Sequence, residues 1–308
     1  MAEFKSFYKT VAGGEGSKCK YPTRLDTYGC GCSHDCGYCY AKSLLDFRGL
    51  WNPEEPRIAD LRAIERRLDK VPSGAVLRLG GMTDCFQAQE EASGVTRETL
   101  RMMFERGIHA LIVTKSDLIA RDDYLDVLDR GLAHVQVSVT TTDDATNPFG
   151  EKAPAPSRRI AAIERLHAEG VDVAVRLSPL VPEFVDFDRI NAIKVNKAQV
   201  EFLRVNSWIA KWLSGVDLSA YTLKEGGYRH LPLERKLEVL GRVKLPNVSV
   251  CEDVQEHYDY WRSCYNPNGE DCCNLSISKG GGDQACQKED EEYRSRSQAR
   301  SWASRGQR

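Results

Sequence analysis

The chain has 308 residues, of which 41% are hydrophobic and 29% charged, and its formal net charge is −2. That length can bury a substantial core and suits one large domain or a domain with an appendage. The mean hydropathy of −0.47, with no apolar run near the roughly 20 residues that cross a bilayer, argues against a membrane protein. The near-neutral charge confines any nucleic-acid-binding surface to a local patch.

In chain order, residues 1–20 carry Lys5, Lys9, Lys18 and Lys20 without the apolar stretch of a signal peptide, so a cytoplasmic chain is expected. Residues 24–28 read as a short strand that runs into a cysteine-rich loop. Residues 58–70 have helical spacing, and 75–79 form an apolar strand ending in Gly80-Gly81. A helix is predicted over 96–107 with Thr96 as N-cap, a strand over 109–114, a helix over 122–131 and a strand over 134–140. A helix over 157–170 and strands over 171–177 and 200–205 continue the alternation. The strands read as apolar throughout and the connections are short, the pattern of a parallel sheet covered by helices. Six such units are too few for a closed eightfold barrel. The expected fold class is therefore α/β, a partial (β/α)6 barrel over residues 1–205.

Residues 206–278 read as a C-terminal cap, helical and aromatic over 206–241 (Trp208, Trp212, Tyr221, Tyr228), with 248–250 as a candidate further strand. His230 and His257 either line a substrate pocket or pack the cap. Residues 279–308 contain a glycine run, an acidic run and Arg294, Arg296, Arg300, Arg305 and Arg308 around Trp302. That composition predicts a disordered basic tail, either a plain solvated terminus or a clamp for phosphates and a base.

The chain has eleven cysteines, and in a reducing compartment clustered cysteines more often bind metal or do chemistry than form disulfides. Cys32, Cys36 and Cys39 are separated by three and then two residues. Three thiolates on one loop can each hold one iron of a 4Fe–4S cube and leave the fourth iron open. An open iron can chelate the amino and carboxylate groups of S-adenosylmethionine (SAM) and pass an electron to its sulfonium. The alternative is tetrahedral zinc on Cys30, Cys32, Cys36 and Cys39, although zinc sites usually use two separated pairs. Strand-end placement of the loop favours the cluster, since active sites of parallel α/β folds gather there.

The loop and the following Tyr40-Ala41-Lys42 resemble the radical SAM superfamily, in particular the branch that contains spore photoproduct lyase. Similar stretches follow in order at 80–87, 114–116, 137–141 and 176–182, so the likeness covers about residues 26–182. The resemblance implies a 4Fe–4S cluster, SAM and an external electron donor such as flavodoxin or ferredoxin, in a monomer or homodimer. It places Gly80 and Gly81 against the methionyl part of SAM, and Thr83, Lys115, Ser138 and Arg176 at its carboxylate or ribose. The plain alternatives are a solvated strand-end lysine for Lys115 and a salt-bridge partner for Arg176. Cys85 corresponds by position to a thiol that returns hydrogen to a product radical, or it is simply a buried small side chain.

Cys251, Cys264, Cys272 and Cys273 could hold a second iron–sulfur cluster or a structural zinc, or remain reduced thiols in the cap. The branch also includes phage proteins that remodel thymine side chains in DNA. From this resemblance the expected substrate is DNA or a modified thymidine. The expected reaction is an isomerisation in thymidine hypermodification, moving a glycyl group on the thymine methyl from a nitrogen link to a carbon link, in the host cytoplasm if the chain is phage-encoded. Repair of a thymine lesion by a lyase is the second reading, and a non-catalytic zinc protein the third.

Overall fold

The computed structural model describes residues 4–9, 18–275 and 277, so the expected basic tail lies outside the described residues. Eight strands form the main sheet: β1 (Phe7–Lys9), β2 (Thr23–Leu25), β3 (Val76–Leu79), β4 (His109–Thr114), β5 (Ala133–Ser138), β6 (Asp172–Leu180), β7 (Lys197–Phe202) and β8 (Asn247–Val250). They are hydrogen-bonded in chain order. β1 pairs with β2 antiparallel and every later pairing is parallel. The six expected parallel strands are present, and the candidate strand near 248 is a seventh that pairs with β7. The sheet therefore continues past residue 205 into the segment read as a cap. Among the described residues no helix is long and apolar enough to cross a membrane.

One expectation about these strands is corrected. They are not apolar throughout, because their two faces differ. Leu25, Leu79, Ile112, Val135 and Val173 belong to the main hydrophobic core on the helix-covered face. On the other face the register sets Arg24 beside Arg78, then Ser138 beside Arg176, Arg176 beside Gln199, and Gln199 beside Ser249. Side chains alternate along a strand, so these polar groups line the concave side of the curved sheet. Arg24, Arg78, Gln136, Arg176 and Gln199 are all buried there. A polar lumen inside an apolar shell is what a partial barrel needs to hold a charged ligand rather than a packed interior.

Several helices differ from expectation for identifiable reasons. The helix predicted from Thr96 begins at Val95, and its cap is a distant side chain. Glu90 accepts hydrogen bonds from the Thr96 and Arg97 amides at 2.9 and 3.0 Å. Thr96 instead donates its hydroxyl to the Cys85 carbonyl at 2.6 Å. The helix expected over 122–131 stops at Leu125. The stretch 206–241 contains a hairpin, Leu223–Glu225 with Tyr228–His230, between short helices.

Candidate active site

The cysteine loop leaves β2 and is clamped from both sides. The Ser33 amide donates to Gln87 Oε1 at 2.7 Å, and the Ala88 amide donates to Ser33 Oγ at 3.2 Å. Across the loop, the Gly37 amide donates to the Phe149 carbonyl at 2.9 Å and the Lys152 amide to the His34 carbonyl at 2.6 Å. Asp35 adopts a positive φ of 44° at the loop apex and is paired with Lys42 at 2.7 Å. Cys39 is the N-cap of the helix Tyr40–Leu45, its sulfur accepting from the Lys42 amide at 3.4 Å. Burial pushes the Cys32 thiol up to about 12, with Asp84 adding to the shift. Burial also raises Cys36 and Cys39, against the pull of Lys115. Ligation of a metal would require these thiols to lose their protons.

Beside the loop, Asp26 organises the turn after β3. Its carboxylate accepts from the Gly81 and Met82 amides, both at 2.8 Å, and from the Tyr8 hydroxyl at 2.9 Å. The glycines here are required by the protein's own backbone. Gly80 has φ 84°, and a Cβ on it would overlap the Val113 carbonyl oxygen. A Cβ on Gly81 would overlap the Tyr8 hydroxyl. Gly80→Ala is accordingly expected to cost about 1–3 kcal/mol. Thermal unfolding of the purified protein checks this, and an unchanged midpoint would contradict it.

Two buried carboxylates brace the site. Burial alone would raise Asp84, but His34 at 3.2 Å and the Lys115 and Phe86 amides outweigh it and hold the carboxyl at about 2. Burial likewise opposes ionisation of Glu151, and Arg159, Lys115 and the Tyr38 hydroxyl overcome it to hold that group at about 2. Tyr38 is thereby fixed against Glu151, edge-on to Phe149 at 5.1 Å, with the Lys115 ammonium 5.3 Å from its ring centre. Both depressed groups stabilise the fold fully above about pH 4.5 and lose that contribution as pH falls toward 2. Asp26, raised by burial, works in the opposite sense. The urea midpoint should therefore fall between pH 5 and pH 3 by about 1 M or less, a flat profile being the contrary result.

A cleft opens at the C-terminal ends of the strands. Cys36 and Cys39 line it with Gly80, Gly81, Lys115, Ser138 and Arg176, as do Tyr38, Tyr40, Glu201, Arg204 and Tyr228. Sequence reasoning missed Glu201 and Arg204. Glu201 accepts from Arg176 at 2.5 Å and from Ser178 at 2.9 Å. Arg204 lies 5.5 Å from the Tyr40 ring centre and 5.6 Å from that of Tyr228. The signal was present in the alternation of β7, which puts Gln199 and Glu201 on the lumen face.

Other expected residues fall elsewhere. Thr83 does not line the cleft, because its hydroxyl is spent on the Tyr28 carbonyl at 2.6 Å. Cys85 is fully buried, and burial pushes its thiol well above the usual range. It does not line the cleft either. Cys264 is exposed and its sulfur contacts the Tyr260 carbonyl at 3.0 Å, apart from Cys251, Cys272 and Cys273. His257 is buried beside Lys236 at 3.0 Å, and His230 lies 3.9 Å from Asp253.

Sulfurs on one tetrahedral zinc, at about 2.3 Å each, lie about 3.8 Å apart. Among the described residues, the one set of three metal-binding side chains with ligand atoms all within 4.8 Å of one another is His230, Glu252 and Asp253. Glu252 in that set already holds the Lys236 ammonium at 2.5 Å. The three loop sulfurs do not form such a set. The cleft beside them offers cations, hydroxyls and aromatic faces for a zwitterionic nucleoside.

A curved parallel sheet with a three-thiol loop leaving its first parallel strand, and a polar cleft at the strand ends, defines the class of cluster-dependent partial-barrel enzymes. The radical SAM superfamily model matches residues 27–195, and the chain belongs to that superfamily, whose cofactors are a 4Fe–4S cluster and SAM. Uncharacterized protein MJ0683 of Methanocaldococcus jannaschii is 26% identical over 171 residues, 52% of this chain and 61% of that protein. Uncharacterized protein Mb2609c of Mycobacterium bovis is 27% identical over 168 residues, 51% of this chain and 49% of its own length. The chain thus spans about half to three fifths of these curated relatives.

Among solved structures, spore photoproduct lyase complexed with dinucleoside spore photoproduct superposes with a TM-score of 0.59 at 14% identity, covering 76% of this chain and 77% of that one. A lyase mutant with bound AdoMet and the same dinucleoside gives a TM-score of 0.57 at 15% identity, with the same coverage. Streptococcus suis SuiB bound to precursor peptide SuiA gives 0.51 at 16% identity, covering 78% of this chain and 51% of that one. At these identities the likeness is one of fold.

Proposed function

We propose that Cys32, Cys36 and Cys39 hold the 4Fe–4S cluster and that the enzyme isomerises a substituent on a thymine base in DNA or a modified thymidine, moving a glycyl group from a nitrogen to a carbon link. When bound, cluster and SAM supply an electron and a 5′-deoxyadenosyl radical that takes hydrogen from carbon. Lys115, Ser138 and Arg176 orient SAM from the strand ends. Tyr38, fixed by Glu151 and Phe149, shields the cluster side from water. Tyr40, Arg204 and Tyr228 form the wall on which a base and its phosphate would rest.

The burial of Cys85 carries this reading over lesion repair. A lyase that returns hydrogen to its product radical from a thiol needs that thiol accessible, whereas an isomerase can take its hydrogen back from the adenosyl group. A thiol enclosed by Thr27 and Thr96, outside the cleft, does not suit the first task. The structural neighbours are complexed with a dinucleoside lesion and a precursor peptide, which supports a modified biopolymer component as substrate without choosing one.

The test uses the reduced, reconstituted enzyme with SAM and a thymidine oligonucleotide carrying an N-linked glycine deuterated at its α-carbon. Conversion to an isomeric product resistant to cleavage at nitrogen, with part of its deuterium exchanged for hydrogen and recovered in SAM, is the expected result. Conversion of dinucleoside spore photoproduct to thymidines, with the glycyl substrate untouched, would establish the lyase instead.

A further inference from the structure

The lumen floor carries a second group of thiols that the SAM cleft does not use. Cys19 precedes β2, Cys251 follows β8, and Cys272 and Cys273 lie in the turn that closes the sheet from below. Cys273 packs with Tyr21, Leu111 and Leu275, and Cys19 and Cys272 border the same small cluster. The turn is pinned rather than incidental. Ser249 Oγ donates to the Cys272 carbonyl at 2.7 Å, Tyr21 donates to Asp271 at 2.7 Å, and the Lys197 ammonium donates to the Asn274 carbonyl at 2.9 Å. The Cys272 thiol is within hydrogen-bonding reach of those of both Cys251 and Cys273. Cys19 feels the charges of Cys251 and Cys273, and the Arg78 and Arg24 guanidiniums bear on it. Arg78 and Arg176 bear on Cys273 from the cleft side.

Four thiols from three chain segments, within the electrostatic reach of buried guanidiniums, form a donor set for a thiophilic centre of net negative charge. We infer that Cys19, Cys251, Cys272 and Cys273 bind a second iron–sulfur cluster in the lumen floor, beneath the SAM cleft. The arginines offset the charge of a cluster ligated by four thiolates. Their placement between floor and cleft couples the two centres electrostatically. Cys264, on the surface, takes no part.

The test compares three full-length proteins reconstituted anaerobically with ferrous iron and sulfide: wild type, the Cys32→Ala/Cys36→Ala/Cys39→Ala triple variant, and Cys272→Ser/Cys273→Ser. The triple variant should retain about half the wild-type iron and sulfide, in a reduced cluster whose electron paramagnetic resonance ignores SAM. The double variant should lose that same half yet keep a SAM-sensitive signal, which also shows that it has folded. A triple variant devoid of iron and sulfide, or one holding a single zinc in place of iron and sulfide, would overturn the inference. Loss of the SAM-sensitive signal from the wild type would instead strike the loop assignment and leave the floor site standing if the triple variant still holds its cluster.

Discussion

Cys32→Ala, Cys36→Ala and Cys39→Ala are each expected to abolish reductive cleavage of SAM and to remove the iron held by the loop, while Cys30→Ala retains both. On the proposed assignment each of the three supplies one thiolate to one iron, so a cube deprived of one loses a third of its protein ligands. Cys30 is different in kind. It has a positive φ of 59°, and its carbonyl accepts from the Asn52 amide at 2.7 Å. Anaerobic reconstitution followed by iron determination and 5′-deoxyadenosine quantification reads all four variants. Loss of cluster and cleavage in Cys30→Ala would require a four-thiolate site and would revive the zinc-type spacing.

Arg159→Met is the second change with a large expected effect. Arg159 and Glu151 are both buried, and the same Glu151 carboxylate also accepts from Thr140 at 2.9 Å and from Tyr38. Removing the cation leaves a buried carboxylate with hydroxyl donors only, a loss of about 3–5 kcal/mol. Glu151 would then take up a proton, and its hold on Tyr38 beside Cys36 would weaken. Urea unfolding should show the loss, and the Arg159→Met/Glu151→Gln pair should recover part of it, since no buried charge is then left unpaired. A destabilisation below about 1 kcal/mol in the single variant would show that water reaches Glu151.

The sheet was legible because parallel strands bury apolar residues in short runs at regular spacing, and Gly170, with φ 77°, marks a helix end as sequence reasoning expects. The loop was legible because ligand spacing is local. What escaped depended on contacts between distant segments. Glu90 replaces Thr96 as the helix cap across an intervening turn. Asp26 holds a glycine turn 55 residues away. Thr83 faces the Tyr28 backbone and Cys85 faces the core, although both follow the glycine pair directly. Sequence adjacency to a site does not fix which way a side chain turns. Cys19 and Cys273 illustrate the same limit, because only the assembled sheet brings residues 254 positions apart onto one floor. The strands' two faces were misread for a simpler reason. Polar residues at alternate positions were averaged into apolar runs, which hid the arginine-lined lumen.

The most direct test of the account is the electron paramagnetic resonance spectrum of the reduced, reconstituted enzyme with and without SAM. An iron open on the loop cluster must take SAM as a ligand, so the wild-type signal is predicted to change on addition of SAM and the change to vanish in Cys36→Ala. A wild-type cluster signal that SAM leaves unaltered would contradict the assignment of Cys32, Cys36 and Cys39 as the SAM-binding centre.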